Sequence, residues 1–252
     1  MNVLDLFSGI GGFSFGLEST GFFKTISFVE KDKFCQKVLR KNFPNVPIED
    51  DVRNVKGEKY RADVVTGGFP CQPFSVAGKR RGTDDDRFLW DETIRIVSET
   101  KPKWFIGENV EGIINIQDGM VFRQIHDDLE SEGFETQSFI IPASGKGAWH
   151  QRKRVWIIGC NEKNISNTNN ERLQGFNNKQ LTSKQKLRFT SNKNDEGGKT
   201  WWEAQSKLCG IPNGVSSTMD KDRANRIKSL GNSIVPQIAR EIGLGIMEAE
   251  IG

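Results

Sequence analysis

Short apolar runs, several of them closed by glycine or an acidic residue, recur along the chain and are separated by segments with helical periodicity. Val3-Leu4-Asp5-Leu6-Phe7 reads as a buried strand that runs into Ser8-Gly9-Ile10-Gly11-Gly12 and then a helix through Leu17. Thr25-Ile26-Ser27-Phe28-Val29 reads as a second strand, ending in Glu30 and followed by a helix over 31–42. A third strand over 62–66 meets Gly67-Gly68, where the chain is expected to leave the sheet. Leu89, Thr93, Ile96 and Val97 recur at near-helical spacing and predict a helix over 88–99. A strand over 103–107, a helix over 120–132, a strand over 139–141 and a β-branched strand ending at Gly159 follow. A helix-like stretch over 223–230 precedes a stripe of Val235, Ile238, Ala239, Ile242 and Ile246, for which Ser233 is a candidate cap. Strands alternating with helices predict an α/β fold with a doubly wound, mostly parallel sheet.

The apolar runs stop short of the ~18 residues of a membrane span. The 252 residues suffice for one large domain with a small appendage. The pattern breaks at Asn161: residues 161–194 hold nine asparagines and no clear period. Residues 161–212 carry nine Lys/Arg against five Asp/Glu, a local +4 where the whole chain is +3, and include Phe176, Phe189, Trp201 and Trp202. Side chains of these types pair with base edges in nucleic acids, and the same composition also fits an unstructured segment. We divide the chain into 1–160, 161–218 and 219–252. Cys35, Cys71, Cys160 and Cys209 form no C-x-x-C pair, so neither a disulfide framework nor a zinc site is expected, and no metal. Met1-Asn2-Val3-Leu4-Asp5 lacks a basic region and a cleavage signature, and the expected location is the cytoplasm.

Chemistry concentrates at strand ends. Cys71 lies between Pro70 and Pro73, directly after Gly67-Gly68, so a thiol is held where open α/β sheets place their ligands. The blander reading is a buried structural cysteine. Glu30 lies about twenty residues past the glycines, the spacing at which an acid accepts from ribose hydroxyls; the rival reading is a surface carboxylate capping the next helix. Glu108 would face Cys71 if their strands are neighbours. Arg152 and Arg154 share one strand face, and a structural ion pair is as good a reading of Arg154 as catalysis. Lys79, Arg80 and Arg81 sit in a long polar loop and suit phosphate contacts or plain solvation.

Several stretches together carry a resemblance: Asp-Leu-Phe-Ser-Gly-Ile-Gly-Gly-Phe at 5–13, Gly-Phe-Pro-Cys-Gln-Pro-Phe-Ser at 68–75, Glu-Asn-Val at 108–110, Arg-x-Arg at 152–154 and Arg-Ile-Lys-Ser-Leu-Gly-Asn-Ser-Ile-Val-Pro at 226–236. In this order the chain resembles the DNA (cytosine-5)-methyltransferases of prokaryotic or phage type, with a short target-recognition region. Two departures stand out: His150 where many relatives have Gln, and Lys31 where many have an aromatic over the adenine.

The resemblance implies a Rossmann-like methyltransferase fold that uses S-adenosyl-L-methionine and releases S-adenosyl-L-homocysteine. It implies a cofactor site of Phe7, Ser8, Gly9, Gly11, Gly12, Glu30, Asp51, Val52, Pro70, Leu89, Asn232 and Ser233. Catalysis would fall to Cys71, Glu108, Arg152 and Arg154, with Arg152 a candidate to favour the thiolate. DNA contacts would fall to Gln72, Ser75, Lys79, Arg80 and Arg81. Residues 1–160 become the catalytic and cofactor-binding domain, 161–218 the target-recognition region, and 219–252 helices that complete the first. Duplex DNA is the implied partner, with a cognate restriction endonuclease a further candidate, and the chain is expected to act as a monomer, nucleoid-associated when on DNA. An RNA cytosine-5 methyltransferase and a non-catalytic DNA-binding paralogue remain as rival readings. A dinucleotide oxidoreductase does not, because Gly9-Ile10-Gly11-Gly12 lacks the G-x-G-x-x-G spacing.

Overall fold

Seven strands form one sheet in the order β3-β2-β1-β4-β5-β7-β6 in the computed structural model, which describes residues 1–70, 89–143, 152–161 and 223–251. The strands are β1 (Asn2–Leu6), β2 (Lys24–Val29), β3 (Ile48–Glu49), β4 (Val64–Gly67), β5 (Trp104–Val110), β6 (Glu135–Pro142) and β7 (Lys153–Cys160). The first five are parallel, and β7 lies antiparallel between β5 and β6. The expected doubly wound α/β architecture is thus the observed one. The described residues belong to one unit, Met1–Glu162 with Asp222–Gly252; the second unit, Lys163–Lys221, lies outside them.

Parallel strands need crossover helices, which cover both sheet faces and make the central strands apolar on both sides. Val3, Leu4 and Leu6 of β1 and Val64 and Val65 of β4 are accordingly fully buried. The crossovers carry α1 (Gly12–Glu18), α2 (Lys33–Asn42) and α3 (Trp90–Thr100); α4 (Met120–Ser131) precedes β6, and α5 (Arg223–Asn232) and α6 (Pro236–Ile251) close the chain. Leu4, Leu6, Val65, Phe105 and Ile157 of the sheet pack with Trp90, Ile96 and Leu129 of the helices in one apolar core.

Local chemistry moved several expected boundaries. The second helix starts at Lys33 because Asp32 caps it, accepting from the N–H groups of Phe34 at 2.8 Å and Cys35 at 3.3 Å. The strand expected over 139–141 extends over Glu135–Pro142, because the whole segment pairs with β7. Its polar first half hid it: β6 is an edge strand, half exposed, and shows no apolar run. Ser233 does not cap the last helix. Its Oγ donates to the carbonyl of Ile234 at 3.0 Å, and the helix begins at Pro236, whose missing N–H would have been an orphan donor there.

The C-terminal helix lies against the first. A methyl on Gly16 of α1 would collide with the Pro236 carbonyl and come within 2.8 Å of Ala239 Cβ, and one on Gly243 of α6 within 2.9 Å of Leu17. No helix among the described residues is long and apolar enough to cross a membrane.

Candidate active site

The order of parallel strands reverses at β1, which has β2 on one side and β4 on the other. Crevices at such reversals, outside the carboxyl ends of the strands, bind ligands in open α/β sheets. Register fixes what meets there: Leu6 pairs with Gly67, and Gly67 with Gly107. The glycine turn after β1, the Gly68–Pro70 exit after β4, and Glu108 on β5 therefore share one edge, and the strands that carry Glu108 and lead to Cys71 are neighbours.

The glycine turn is held tightly from below. Ser8 Oγ donates to the carbonyls of Asp5 at 2.5 Å and Val29 at 3.3 Å. Phe7 takes a left-handed φ of 53°, an uncommon conformation for a bulky residue that costs about 1–3 kcal/mol and recurs at functional sites. Gly11 has φ +87° and would press a methyl to within 2.8 Å of Phe43. Gly9 has φ +55° with nothing within 4 Å of a methyl placed on it, so open space lies over this turn. Gly9 N–H donates to Glu30 Oε2 at 2.7 Å, and Glu30 Oε1 accepts from Asp32 N–H at 2.7 Å. Burial pushes the Glu30 carboxyl above its ordinary range against the pull of these donors. An acid beside an open glycine turn fits the nucleoside end of a cofactor. Val52 is buried nearby in sequence to Asp51, whose carboxylate is engaged by Arg53 at 3.0 Å through Nη2 and 3.1 Å through Nε. Arg53 holds the Asp51 carboxyl below its ordinary range, so an adenine amino group at Asp51 would compete with this fork.

Beside Gly68 opens a cleft of about 660 Å³, whose lining includes Pro70, Glu108, Asn109, Arg152, Arg154 and Asn232. Glu108 Oε1 pairs with Arg154 Nε at 3.0 Å. Burial nevertheless raises the Glu108 carboxyl to about 7, outweighing the lowering charges of Arg154 and Arg152. At neutral pH it is therefore poised between donor and acceptor. Arg152 Nη2 donates to the Ser233 carbonyl at 2.8 Å, and Nη1 to the Leu230 carbonyl at 3.4 Å. Burial and then the like charge of Arg154 pull Arg152 below an ordinary arginine. So the two arginines expected on one face do reach one cleft, with different partners. Asn232 is exposed at the cleft and Ser233 is buried behind it. Leu89 sits just before α3 and its carbonyl accepts from Thr93 N–H at 3.1 Å. Cys71, Gln72, Ser75, Lys79, Arg80 and Arg81 lie outside the described residues.

Two site residues escaped sequence reading. Asn109 Nδ2 donates to the Phe69 carbonyl at 2.9 Å, two residues ahead of Cys71. Asp5 is wholly buried: its Oδ2 accepts from Ser14 Oγ and its Oδ1 from Thr66 Oγ1, both at 2.8 Å, and burial raises the carboxyl to about 7. A carboxylate inside an otherwise apolar strand was the available signal.

Comparison with known proteins agrees with this geometry. The family model for C-5 cytosine-specific DNA methylase matches residues 1–210. Type II methyltransferase M.Bsp6I of Bacillus sp. (strain RFL6) is 37% identical over 163 residues, covering 63% of this chain and 52% of that protein. A crystal structure of an E. coli prophage protein described as a DNA modification methyltransferase is 29% identical with a TM-score of 0.56, covering 65% of this chain and 47% of that one. A Spodoptera frugiperda DNMT2 mutant, 23% identical with a TM-score of 0.58 over 66% of this chain and 52% of that one, shares the fold. The chain thus spans about half the length of the relatives it matches. With five-sixths of its residues inside the family match and the sheet, glycine turn and acid–arginine cleft in place, the chain belongs to the C-5 cytosine-specific DNA methylase family.

Proposed function

We propose that this chain methylates carbon 5 of a cytosine flipped out of a specific duplex DNA sequence, through a covalent adduct of Cys71. The observation that carries the reading is the pairing of Glu108 and Arg154 in a cleft that begins at Gly68–Pro70, immediately before Cys71 in the chain. S-adenosyl-L-methionine, when bound, supplies an electrophilic methyl group. Ser8, Gly9, Gly11 and Gly12 would hold it at the open turn, Glu30 at the ribose, and Asp51, Val52, Asn232 and Ser233 around it, with Phe7, Pro70 and Leu89 alongside.

Carbon 5 of cytosine is a poor nucleophile. Addition of the Cys71 thiolate to carbon 6 makes carbon 5 electron-rich, which is what covalent catalysis contributes here. Protonated Glu108 would donate to ring nitrogen 3 and accept from the exocyclic amine, offsetting charge as the adduct forms. Arg154 beside it would orient that carboxyl. Once carbon 5 carries the methyl group, loss of its proton to a base restores the ring double bond and expels the thiolate from carbon 6. The target atom is inside the stack of duplex DNA, so the base must leave the helix to reach the cleft. Gln72, Ser75, Lys79, Arg80 and Arg81 would contact the DNA, and 161–218 would choose the sequence, with 1–160 and 219–252 forming the catalytic body. A partner restriction endonuclease would fit the Type II names of the relatives.

The test is bisulfite sequencing of a methylation-deficient bacterial host expressing the chain, with Cys71→Ala in parallel. The expected result is protected cytosines in one short sequence context that vanish in the variant. Soluble wild-type protein that protects no cytosine would overturn the reading.

A further inference from the structure

The glycine turn after β1 and the chain leaving β4 toward Cys71 are bridged by one side chain. Ile234, in the link between α5 and α6, is 8% exposed. A methyl placed on Gly12 would lie 2.8 Å from Ile234 Cβ and 2.7 Å from its carbonyl oxygen, so the turn is seated directly on this residue. The other end of the same side chain, Cδ1, lies 3.5 Å from a methyl placed on Gly68, an ordinary contact distance. The link is itself held from the cleft, because Arg152 donates to the carbonyls of Leu230 and Ser233 on the near side of Ile234. Ile234 therefore packs against the cofactor-side turn with its Cβ and carbonyl and turns its tip toward the thiol-side exit.

We infer that Ile234 is a positioning residue: its side chain sets the spacing between the Gly12 turn and the Gly68 exit, the point from which the chain continues to Cys71. The inference rests on the reaction proposed above. Its physical basis is that reacting groups must be held near attack geometry, where small displacements cost large factors in rate, while a packed interior transmits such displacements. Glycine at position 12 is what lets the isoleucine seat so closely against the turn.

The atoms divide the roles, which makes the inference testable by one methyl group. Ile234→Val deletes the tip that meets Gly68 and keeps the Cβ that meets Gly12. Gly68→Ala adds a methyl on the same side, 3.5 Å from Ile234 Cδ1 and 3.7 Å from Glu108 Oε2. Gly68 has no left-handed φ, so alanine is sterically open to it.

Wild type, Ile234→Val, Gly68→Ala and the double variant are compared in two measurements. One is the affinity for S-adenosyl-L-homocysteine by calorimetry. The other is the rate of adduct formation, with saturating S-adenosyl-L-methionine, on duplex DNA carrying 5-fluorocytosine at the methylated position, where after methyl transfer the fluorine cannot leave as a proton does and the thiol stays bound. The expected result is that Ile234→Val binds S-adenosyl-L-homocysteine within about twofold of wild type but forms adduct about fivefold more slowly. The double variant should regain at least about half of the lost rate, since its added methyl lies 3.5 Å from where the lost tip stood and narrows the gap from the other side. A merely structural role would shift melting and leave adduct rate per folded molecule unchanged, with no recovery in the double variant. That outcome, or equal losses in both measurements, overturns the inference while the reaction stands. Absence of any adduct in the wild type overturns the reaction and the inference together.

Discussion

Glu108 Oε1 lies 3.0 Å from Arg154 Nε, yet the carboxyl sits near 7 because burial outweighs its arginine neighbours. If protonated Glu108 is the donor to cytosine, kcat/KM should fall as pH rises through about 7, the free-enzyme value. Arg154 is the largest of the lowering influences on this group. Its removal in Arg154→Ala should push the falling limb to higher pH by about one unit, while lowering the plateau. A pH–rate profile from 5.5 to 9 checks both. An unmoved limb in the variant would mean that another group sets it.

Asp5 makes a stability prediction of definite sign. Its native value of about 7 lies above the ordinary 3.8, so between those pH values the folded chain holds a proton that the unfolded chain has released. Stability should therefore be highest below about pH 4 with respect to this group, and decline as pH rises toward 7, by at most about 4 kcal/mol. Glu108 adds a decline of the same sign in the same window. Asp5→Asn keeps a neutral, hydrogen-bonding side chain between Ser14 and Thr66 and should flatten the slope. Urea unfolding of both proteins at pH 5.5 and 8 measures it. Equal slopes would show Asp5 to be ionised throughout.

Gly16 tests the docking of the C-terminal helix. Its methyl would meet the Pro236 carbonyl and Ala239 Cβ, backbone and short side chain that have no rotamer with which to yield. Gly16→Ala should gain about 1 kcal/mol of helix propensity and lose more, a net cost of about 1–3 kcal/mol from overpacking. Thermal unfolding would read the loss. Gly9→Ala makes a useful contrast, since its space is open and only the left-handed backbone resists the change.

Much of this architecture was legible because strands buried on both faces must be apolar and must end where the chain turns. β1, β2 and β4 were found that way, with the glycines and Glu30 marking their carboxyl ends. That β4 and β5 are neighbours is not written in any local pattern, and Glu108 stands beside the exit toward Cys71 only because they are. β6 was read too short because an edge strand need not be apolar, and the last helix was started too early because a capping serine and a link serine look alike in sequence. Asp5 and Asn109 were passed over for a shared reason. Each acts through a buried hydrogen bond to a residue 40 or more positions away, and no local period reports such a pairing. The same holds for Ile234, which lies near the end of the chain and packs beside turns at Gly12 and Gly68 in its first third.

Asn109 bonds in two directions at once: Nδ2 donates to the Phe69 carbonyl at 2.9 Å and Oδ1 accepts from Val110 N–H at 2.9 Å. Phe69 is further fixed by its ring, 4.9 Å from that of Trp90. Asn109 thus ties the end of β5, next to Glu108, to the backbone just ahead of Cys71. Asn109→Asp keeps the size and the acceptor but, once ionised, turns an acceptor toward the Phe69 carbonyl. Leaving that buried carbonyl without its donor should cost about 1–3 kcal/mol. Because a protonated carboxyl regains a donor, the rate of the proposed methylation by Asn109→Asp relative to wild type should recover as pH falls below the raised value expected of a buried aspartate. Asn109→Ala has no proton to regain and should show a constant deficit. Rates of the three proteins at matched pH from 5.5 to 8 separate the cases. A deficit in Asn109→Asp that does not change with pH would mean that the Phe69 hydrogen bond plays no part in holding the chain ahead of the proposed nucleophile.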